Sequence, residues 1–471
     1  MIIEICALDP LTGPVLQKVA HACAAAGGRA YLVGGVVRSA LLGEIPTDYD
    51  MEVFGLTEPQ LLEALRGMGV VRPVGKAFGI YKLGGYPIDI GLPRREHKTG
   101  LGHRGFAVQT DPALSLREAA LRRDFTVNAL YMDILSGDVI DPLGGLADLH
   151  QRRIRHCSEQ FAEDPLRVLR AMQFAARLEA TVAPETVALC RGLSPEGLSA
   201  ERFGAEWEKL LLKGRRPSLG LSFLKEAGWL AYFPELEALV GCPQDPRWHP
   251  EGDVWQHTLH CLDALPKLRM DQSGDDLTVA LAVLCHDFGK PLTTEITAAG
   301  IRSPGHEQAG LEPASAFMQR LRISKRIQEA VLALVATHMR PATLYRDQSS
   351  SAALRRLAND CGRLDLLMLV FRADNAGRPG YHDDSAEAVR WIQERARLMN
   401  IEAQKPPPIL QGRDLLVLGM TPGPAMGSLL RAAYEAQLDG LFEDYATARA
   451  WATAQLKRPQ GGPNVQLPVE D

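Results

Sequence analysis

The chain has 471 residues, 46% of them hydrophobic and 23% charged, and a formal net charge of −5 at pH 7. This profile predicts about two to four globular domains and excludes a disordered chain, and the longest apolar runs, such as 277–285, are too short to span a membrane. The first ten residues lack the features of a signal peptide, and the eight cysteines are scattered without a C-x-x-C pair, which favours reduced thiols in a cytoplasmic protein.

The N-terminal part of the chain predicts a mixed α/β region. Residues 10–26 predict a helix that ends at Gly27 and Gly28, and RAYLVGG predicts a short buried strand leading into a turn. VVRSALLG predicts a helix, TDYDMEVFG a strand whose side chains alternate between two faces, and AFGIYKLGGYPIDIGLPR a hairpin. Residues 96–113, rich in polar residues and glycine, predict a loop. LRRDFT begins a further predicted strand, and TVNALYMDILSGDVIDPLGG predicts a second hairpin.

Strand signals nearly vanish after about residue 148, where amphipathic helical patterns replace them. A segment rich in proline, cysteine and tryptophan at 240–253 separates two helical blocks, and the proline run at 406–408 predicts a linker. The predicted organisation is an α+β head (1–147), an all-α neck and body (148–240), a second all-α domain (241–400), a C-terminal helical tail (409–456) and a disordered end (457–471).

The first group of residues that indicates chemistry lies in YLVGGVVRSALLGEIPTDYDMEVFG, at 31–55. Asp48 and Asp50 are two residues apart, so on a strand their carboxylates face the same side and can share a hard cation such as Mg²⁺. Gly34 and Gly35 open a predicted helix, where free backbone N–H groups can face phosphate oxygens. Together these features indicate phosphoryl or nucleotidyl transfer, in which metal ions activate a hydroxyl and neutralise a triphosphate.

Two further segments leave more than one interpretation open. Asp89, set between two isoleucines, is either a third metal-binding acid or an aspartate bonded to loop backbone. Glu163 and Asp164 precede a proline at a predicted helix start, where acids also stabilise the helix dipole without any binding role. Arg167 and Arg170 follow on one face of that helix. An arginine and an aspartate held rigidly in this way could present a hydrogen-bond pattern to a base edge.

Four segments, GGVVRSALLG…DYD, LRRDFTVNAL, DPLGGLADL and EDPLRVLR…FAARL, resemble in their order and spacing the bacterial class II tRNA nucleotidyltransferases. Those enzymes add CCA to tRNA 3′ ends, and the bacterial poly(A) polymerases are their close relatives. The resemblance runs over about 30–235 and implies a polymerase-β-like nucleotidyltransferase head with a mixed sheet, followed by a helical neck and body. It also implies Mg²⁺ in the head and tRNA, CTP and ATP as partners.

The same resemblance implies roles for individual residues. Asp48 and Asp50 would be the catalytic, metal-binding acids, and Asp89 is implied as a third catalytic acid. The residues implied to bind the nucleotide are Gly34, Gly35, Arg38, Arg123, Asp124, Asn128 and Arg170, together with an amino-acid template formed by Glu163, Asp164 and Arg167. This template would pair with incoming CTP or ATP.

Two positions depart from the family pattern. The Gly-Gly-x-Val-Arg motif usually continues with Asp, and this chain has Ser39, which would weaken the orientation of Arg38. The template helix usually continues with Arg-Phe, and here Gln173 removes a cation near the template, which bears on the balance between CTP and ATP. The stretch 89–123 keeps about the length found in full CCA-adding members, which favours complete CCA addition over addition of CC alone.

A second group of residues begins in HPEGDVWQHTLHCLDAL and LAVLCHDFGKP and continues through SPGHEQAG, ATHMR and FRADNAGR. Imidazole and carboxylate together suit a divalent transition metal or Mg²⁺, although an isolated helical histidine is more often a packed or surface residue. The order His…His-Asp…Asp, and HDFGK in particular, resembles the HD phosphohydrolase superfamily. The resemblance implies a divalent metal ion of unknown identity held by His257, His286, Asp287 and Asp374, with His306, His338 and Lys290 as additional residues of the site.

The implied chemistry of the HD domain is attack of metal-activated water on a phosphoester. Some bacterial CCA enzymes carry this domain at this place and show phosphatase and 2′,3′-cyclic phosphodiesterase activities. Hydrolysis of a blocked tRNA end would restore the free 3′ hydroxyl that the first site needs as its nucleophile. The two predicted sites are therefore compatible with one sequence of reactions on one tRNA.

Several alternatives remain open. The chain could be a poly(A) polymerase, an enzyme that adds only CC or only A, or an HD phosphohydrolase whose head only binds RNA. An RNA chaperone is disfavoured, because the bare acids of both predicted metal sites would repel phosphate. The C-terminal tail either holds tRNA or packs on the HD domain, and basic patches such as Arg94, Arg95 and Lys98 are either phosphate contacts or solvated surface. The oligomeric state is open.

Overall fold

The structure of the chain is a computed structural model that describes residues 2–3, 9–69, 71–73, 79–98, 106–378 and 385–457. The chain divides into two compact units, one formed by 1–237 with 319–322 and the other by 238–318 with 323–471. Within the described ranges, no helix has the length and apolar character that crossing a bilayer requires. The predicted disordered end lies outside the described residues from position 458 onward.

A mixed sheet forms the centre of the first unit. The strands of this unit are β1 (Arg29–Val33), β2 (Tyr49–Phe54), β3 (Val71–Pro73), β4 (Ile80–Leu83), β5 (Ile88–Gly91), β6 (Arg94–Lys98), β7 (Phe106–Thr110), β8 (Tyr131–Asp133), β9 (Val139–Ile140), β10 (Arg153–Ile154) and β11 (Thr181–Val182). Seven of them form one sheet in the order β3-β4-β5-β2-β1-β8-β9, in which only β2 and β5 pair in parallel. The parallel register places Asp50 opposite Asp89.

Helices cover this sheet and continue beyond it. They are α1 (Gly13–Ala25), α2 (Gly35–Leu41), α3 (Glu58–Ala64), α4 (Leu116–Leu121), α5 (Gly145–His150), α6 (Leu166–Leu178), α7 (Pro184–Arg191), α8 (Ala200–Lys213), α9 (Pro217–Glu226) and α10 (Pro234–Glu237). Leu16 and Val19 of α1 pack into one core with Leu32, Met51 and Val53 of the sheet. The alternation in β2 therefore buries every second side chain and leaves Asp50 facing solvent, as the sequence pattern predicts.

The predicted loop at 96–113 is wrong in part. Strands β6 and β7 lie at its two ends and pair antiparallel, with Arg94 opposite Thr110 and Lys98 opposite Phe106. The segment shows no alternation of apolar and polar residues, so backbone pairing rather than a hydrophobic face defines this two-stranded ribbon. The part of the predicted loop at 99–105 lies outside the described residues.

The predicted strand start at LRRDFT is also wrong. Leu121 ends α4, and Phe125 forms only an isolated bridge with His156 before a single 3₁₀ turn at Thr126–Asn128. The following hairpin is confirmed as β8 and β9, which begin five residues later than the segment chosen from the sequence. The charged residues of LRRDFT therefore lie in a turn between two helical elements, where their side chains are not constrained to alternate.

Helix α6, which begins with the predicted template, is held closely by its neighbours α8 and α9. A Cβ atom at Gly220 of α9 would lie 2.5 Å from the carbonyl oxygen of Met172, so only glycine permits this helix approach. Met172 and Leu169 on the same helix are fully buried. The exposed face of α6 is thereby fixed in orientation, which matters for the arginines that it carries.

The second unit is almost entirely helical. Its helices are α11 (Val254–Ala264), α12 (Ser273–Cys285), α13 (Lys290–Thr293), α14 (His306–Ala309), α15 (Leu311–Arg320), α16 (Lys325–Thr337), α17 (Arg340–Arg346), α18 (Ser351–Cys361), α19 (Leu364–Ala376), α20 (Ser385–Leu398), α21 (Gly412–Val417), α22 (Pro424–Leu438) and α23 (Tyr445–Leu456), with strands β12 (Glu295–Thr297) and β13 (Gly300–Arg302). Helix α12 is apolar on all sides and is buried throughout 276–285, which explains its continuous hydrophobic sequence.

The tail helices α21 to α23 have a small core of their own and also contact α18. Arg356 of α18 lies 2.5 Å from Asp439 and 3.1 Å from Glu435, and Tyr434 donates a hydrogen bond to Asn359. Leu415 and the other buried residues of the tail form a separate hydrophobic cluster. Exposed ion pairs of this kind contribute about 0–1 kcal/mol, so the contact fits the predicted packing on the HD domain without excluding a role in tRNA binding.

Candidate active sites

The turn between β1 and α2 positions the first candidate site. Gly34 has φ +77°, a backbone conformation that favours glycine, and its N–H donates to the carbonyl of Leu130 at 3.2 Å. A Cβ atom at Gly34 would lie 3.2 Å from Nη1 of Arg123. This turn therefore brings the start of α2 against Arg123, a predicted nucleotide-binding arginine, and the turn itself is the one that the Gly-Gly motif predicts.

Replacing Gly34 with alanine tests this turn. We expect Gly34→Ala to lower the free energy of unfolding by about 1–3 kcal/mol, because φ +77° with ψ −124° strains alanine, and to weaken CTP binding because Arg123 must move. Gly43→Ala is the control, since Gly43 has φ +71° with open space around it. Urea unfolding should show a loss for both variants, and titration calorimetry with CTP should show weakened binding for Gly34→Ala alone. Equal CTP affinity in the two variants would contradict a role of the Gly34 turn and Arg123 in nucleotide binding.

Four of the predicted nucleotide-binding residues form one continuous hydrogen-bond network. Buried Arg38 donates through Nη1 to Oδ1 of Asn128. The side-chain amide of Asn128 donates to Oδ1 of Asp124 at 3.0 Å, and Nε of Arg170 donates to Oδ2 of Asp124 at 2.7 Å. The 3₁₀ turn that follows LRRDFT thus places Asn128 between an arginine of α2 and an acid that is paired with α6.

The aromatic ring of Phe174 lies beside both arginines of this network. The guanidinium carbon of Arg38 is 4.9 Å from the ring centre, and that of Arg170 is 5.4 Å from it. Burial, together with nearby Arg177, lowers the pKa of Arg38 to about 10, so Arg38 is still charged at neutral pH. Burial alone would raise the pKa of Asp124, but Arg170 and the hydrogen bond from Asn128 hold it below its usual value.

The lowered pKa of Asp124 makes a stability prediction with a defined sign. Because the folded state favours the carboxylate, its stabilisation is complete above the ordinary aspartate pKa of 3.8 and is lost as the pH falls through the lower folded value. We expect Asp124→Asn to lower the free energy of unfolding by about 3 kcal/mol, by a constant amount between about pH 5 and pH 8. Urea unfolding across this range measures the difference.

The control for this measurement is Asp138→Asn, which changes an exposed aspartate of the β8–β9 hairpin and should shift stability by less than about 0.5 kcal/mol. The difference between wild type and Asp124→Asn should narrow only below pH 3.8. A difference that already declines between about pH 8 and pH 5 would mean that another group, and not this carboxylate, carries the effect.

A cavity of about 470 Å³ opens in front of α6 and the sheet. Its charged lining residues are Asp50, Glu52, Asp89, Arg94, Arg122, Arg123, Asp124, Asp164, Arg167, Arg170 and Arg202. Asp164 accepts a hydrogen bond from Arg202 at 2.7 Å, and Arg167 donates to the carbonyls of Gln160 and Arg122. The predicted template residues Asp164 and Arg167 are therefore held in fixed orientations at the cavity wall, whereas Glu163 does not line it.

A second cavity of about 310 Å³ adjoins the first and contains the Gly-Gly turn. Asp50, Arg123, Asp124 and Arg170 line both cavities. The residues found only in the second include Gly34, Gly35, Arg38, Asp48, Asn128, Arg177 and Lys213. In the second cavity the Gly-Gly turn and several cations therefore lie on one side of Asp50, an arrangement that suits a polyphosphate chain.

The three predicted catalytic acids are placed differently. Asp50 and the neighbouring Asp48 are both exposed, and β2 begins at Tyr49, so Asp48 lies just before the strand rather than within it. Oδ1 of Asp89 lies 3.0 Å from Nζ of Lys82, its partner on β4, so the structure shows an ion pair where the sequence left a third metal-binding acid and a bond to loop backbone both open. Among the described residues, these acids do not form a group with three ligand atoms within 4.8 Å.

The electrostatics of Asp50 nevertheless fit a cation. Partial desolvation raises the pKa of Asp50, Arg123 lowers it, and the carboxylates of Asp89 and Asp48 raise it further. Three acids that repel one another at the edge of a cavity are stabilised when a hard cation binds between them. The donor set consists of carboxylate oxygens, which are the ligands that Mg²⁺ prefers.

The second candidate site lies in the core of the helical unit, where the predicted HD residues meet. Nε2 of His257 is 3.0 Å from Oδ1 of Asp374, and Nε2 of His286 is 3.2 Å from Oδ2 of Asp287. The other carboxylate oxygen of Asp287 lies 3.4 Å from Nε2 of His306. His338 and Lys290 complete the set, at 3.2 Å from His306 Nε2 and 2.8 Å from Asp287 Oδ2 respectively. The structure thus brings together all seven predicted residues.

Hydrogen bonds at Nδ1 orient these histidines. His286, His306 and His338 each direct Nδ1 at a backbone carbonyl three residues earlier, at 2.7–2.8 Å. Since a carbonyl only accepts, each Nδ1 carries the proton and each Nε2 offers its lone pair to the cluster. Glu251 plays the same part for His257 at 2.8 Å and is itself buried. This is the outer hydrogen bonding that metal-binding histidines require.

The charges of this cluster also fit a bound cation. Burial lowers the pKa of His338 to about 4, with help from His286 and His306, so His338 is neutral near pH 7. Burial alone would raise the pKa of Asp374, but His257 and His286 hold it well below its usual range. Nε2 of His286 is buried, and although Oδ2 of Asp287 lies 3.2 Å away, the geometry between them is not that of a hydrogen bond. A buried lone pair without a donor, next to ionised carboxylates, is expected at a metal site.

A cavity of about 460 Å³ leads to this cluster. Asp287, His306, His338 and Asp374 lie at its wall. Its other lining residues include the cations Lys290, Arg302 and Arg378 and the apolar side chains Trp248, Met339 and Phe371. A phosphate group close to cations, with an apolar group beside it, would be accommodated here.

Comparison with known proteins places both sites in a family. Residues 30–155 match the family model for the poly A polymerase head domain, and residues 254–376 match that for the HD domain. The multifunctional CCA protein of Cupriavidus metallidurans is 38% identical over 392 residues, which cover 79% of this chain and 91% of that protein. This chain belongs to the multifunctional CCA protein family.

A second relative supports this assignment to the CCA protein family, and solved structures share the fold of the chain. The multifunctional CCA protein of Xanthomonas campestris pv. campestris is 37% identical over 417 residues, covering 86% of this chain and 96% of that protein. The Bacillus stearothermophilus CCA-adding enzyme in complex with CTP superposes with a TM-score of 0.65 at 23% identity, covering 94% of this chain and 98% of that one. The Thermotoga maritima CCA-adding enzyme complexed with tRNA gives 0.59 at 18% identity, with 97% and 100% coverage.

These likenesses confirm the predicted family and the predicted fold class of this CCA protein, an α+β nucleotidyltransferase head followed by helical domains that include an HD domain. The two departures from the family pattern lie in different places. Ser39 lines the second head cavity, next to Arg38. Ser39 hydrogen-bonds Glu44 at 3.3 Å, while Asn128 and Phe174 contact Arg38. Gln173 is buried and does not line either head cavity.

Sequence reasoning missed several side chains at the two sites of this CCA protein. Arg202 of α8 and Arg177 of α6 reach the head cavities, and their only sequence signal is a basic residue on an amphipathic helix. Glu251 was part of the quoted HPEGD segment but received no role. Cys261, one helical turn after His257, was read as an ordinary core thiol although it borders the HD cluster.

Proposed function

We propose that this chain adds CCA to the 3′ ends of tRNA, using CTP and ATP, and that its HD domain hydrolyses 2′,3′-cyclic or terminal phosphates. The observation that carries the first part is the pair of adjoining head cavities, in which Asp50, Arg123, Asp124 and Arg170 face both the Gly-Gly turn and the template helix. Sequence identity of 37–38% to multifunctional CCA proteins supports both parts.

The second head cavity suits the triphosphate. Arg38 is fixed by Asn128 and stays charged at neutral pH, and Arg123 lies next to the Gly34 turn. We assign Asp48 and Asp50 as the residues that would hold Mg²⁺, with Asp89 released from Lys82 as the third acid. When bound, Mg²⁺ would activate the attacking 3′ hydroxyl and neutralise triphosphate charge. The chain's own contribution is to hold the two reactants in line.

The first head cavity suits the base of the incoming nucleotide. Arg202 holds Asp164, and two backbone carbonyls hold Arg167, so an acceptor and a donor group are fixed on one wall. A planar guanidinium beside a carboxylate can pair with a base edge through two hydrogen bonds, and rigid partners make the choice between bases sharper. Glu163 ends the 3₁₀ turn before α6 and does not line this cavity, so Asp164 and Arg167 carry the proposed base contacts.

The HD cluster suits a phosphoester. When bound, a divalent ion held by His257, His286, Asp287 and Asp374 would activate water for attack on phosphorus. Lys290, which lies 2.8 Å from Asp287, together with Arg302 and Arg378 in the same cavity, would stabilise the negative charge of the phosphate group. Hydrolysis of a blocked tRNA end would produce the 3′ hydroxyl that the head uses as its nucleophile. We propose that both reactions take place in the cytoplasm.

A product ladder tests the proposed function. The purified chain is incubated with Mg²⁺ and a tRNA that lacks CCA, with CTP alone, ATP alone or both, and the 3′ ends are sequenced. The proposal expects addition of CC from CTP alone and of CCA from both nucleotides. Long A tracts would identify a poly(A) polymerase, and addition of only CC or only A would identify a partial enzyme.

A second substrate tests the HD part in the same assay. A tRNA that ends in a 2′,3′-cyclic phosphate before CCA should receive nucleotides only after hydrolysis. If the HD domain hydrolyses this end, we expect CCA to be added to this tRNA when a transition-metal ion is present. Hydrolysis without any nucleotide addition to either tRNA would support the alternative in which the head only binds RNA.

A further inference from the structure

Cys261 lies beside the HD cluster and has no role in the reactions described above. It follows His257 by four residues on α11, so both side chains lie on the same face of the helix. Sγ of Cys261 is 3.3 Å from Nε2 of His257, and the side chain is fully buried. The Sγ atom and the ligand atoms of His257, His286 and Asp374 all lie within 4.8 Å of one another.

The spacing of these four atoms matches the ligands of one ion. Two ligands that each lie about 2.0–2.3 Å from a tetrahedral ion are about 3.3–3.8 Å apart. Here Sγ of Cys261 is 3.3 Å from Nε2 of His257, and Oδ1 of Asp374 is 3.0 Å from Nε2 of His257 and 3.9 Å from Nε2 of His286. Only small side-chain shifts would bring all four into contact with one ion.

Two independent observations point the same way. Nε2 of His286 is buried and has no hydrogen-bond partner, so a lone pair is directed into the cluster without a donor. Gly377, at the end of α19, also closes the space on the other side of Cys261. A Cβ atom there would lie 2.2 Å from Sγ and 2.9 Å from Cε1 of His257. The thiol is therefore packed between this glycine and the histidine cluster.

We infer that Cys261 is a thiolate ligand of the HD metal ion. The inference rests on the proposed metal-dependent function of the HD domain and adds a soft donor to its nitrogen and oxygen ligands. When the sulfur–metal bond forms, the thiol proton leaves to the buffer. With Cys261 added to His257, His286, Asp287 and Asp374, the site would offer one thiolate, two imidazoles and two carboxylates, and the thiolate favours Zn²⁺ and Co²⁺ over Mg²⁺. The rival role for Cys261 is a structural thiol that only hydrogen-bonds His257 or the backbone carbonyl of Asp374.

Cobalt spectroscopy of the full chain, stripped of metal with a chelator, tests this inference. Thiolate-bound Co²⁺ shows a charge-transfer band in the near ultraviolet in addition to visible d–d bands. We expect both in wild type, and we expect Cys261→Ser to lose only the charge-transfer band. Cys361→Ser is the matched control, because Cys361 is a buried thiol of the same unit outside the metal-ligand groups of the described residues. We also expect Cys261→Ser to weaken Zn²⁺ binding at least about tenfold in chelator competition.

The outcomes separate this inference from the proposed function. Visible d–d bands without a charge-transfer band in wild type overturn the thiolate and leave the proposed HD metal centre standing. A charge-transfer band that persists in Cys261→Ser also overturns it. No Co²⁺ spectrum at all contradicts the proposed metal centre itself. If the serine variant does not fold, Cys261→Ala replaces it, and the wild-type spectrum alone can still reject the inference.

Discussion

Replacing Asp50 with asparagine should abolish nucleotide addition and leave phosphohydrolase activity intact. Asp50 lines both head cavities and lies in register with Asp89, so it is the acid best placed to hold an ion between the triphosphate and the RNA end. Loss of several kcal/mol of charge stabilisation corresponds to a decrease of at least about 10³-fold in the rate. Single-turnover addition of CMP to tRNA lacking CCA measures the effect.

The control for Asp50→Asn is Glu63→Gln, which changes an exposed acid of α3 that pairs with Arg66 and lines neither head cavity. That variant should add CMP at the wild-type rate. The HD domain provides a second internal control, because both variants should hydrolyse a 2′,3′-cyclic phosphate as wild type does. Nucleotide addition by Asp50→Asn within about tenfold of wild type would exclude Asp50 as a metal ligand.

Replacing His286 with glutamine should have the opposite effect, with loss of phosphohydrolase activity and retention of nucleotide addition. Its Nε2 has no hydrogen-bond partner and faces ionised carboxylates, and glutamine keeps most of the side-chain volume without an imidazole nitrogen. We expect His286→Gln to lower hydrolysis of a 2′,3′-cyclic phosphate at least about 10²-fold, while addition of CCA to an unblocked tRNA is unchanged. Inductively coupled plasma measurement of bound metal should show a matching loss.

His260→Gln is the control for this experiment, since His260 lies on α11 next to the cluster but belongs to none of its ligand groups among the described residues. It should retain both metal and hydrolysis. The idea fails if His286→Gln keeps the wild-type metal content and hydrolysis rate. A parallel loss of CCA addition would instead indicate a general folding defect, which circular dichroism of the variant would detect.

Much of the fold follows from the local spacing of hydrophobic residues, because that spacing determines which side chains of a strand or helix are buried. The alternation of TDYDMEVFG is the alternation of β2 between core and solvent, and the apolar run at 277–285 is a helix buried on all sides. The Gly-Gly turn was predictable because Gly34 adopts a positive φ that glycine favours. The β6–β7 ribbon was not, because its sequence shows no alternating apolar pattern, and the ion pairs of Arg95 with Asp111 and Glu118 depend on contacts that the local sequence does not specify.

The candidate sites were predictable where the residues lie in short motifs. Arg202 was missed because its partner Asp164 is 38 residues away and only the packing of α8 against α6 brings them together. The pairing of Asp89 with Lys82 follows from the cross-strand register of β4 and β5, which the predicted hairpin did not specify. Cys261 was missed since a buried thiol and a metal-ligating thiol have the same sequence environment until the neighbouring helices are in place.

The ring of Phe174 lies beside the guanidinium groups of two arginines for which we propose different tasks. Arg38 lines the cavity proposed for the triphosphate, and Arg170 lines both that cavity and the one proposed for the base. A natural substitution at position 174 would consequently change both the binding of the pyrophosphate group and the discrimination between cytosine and adenine. Relaxed nucleotide choice and slower turnover should be inherited together in this lineage, and compensating changes should accumulate near this aromatic side chain rather than in the template itself.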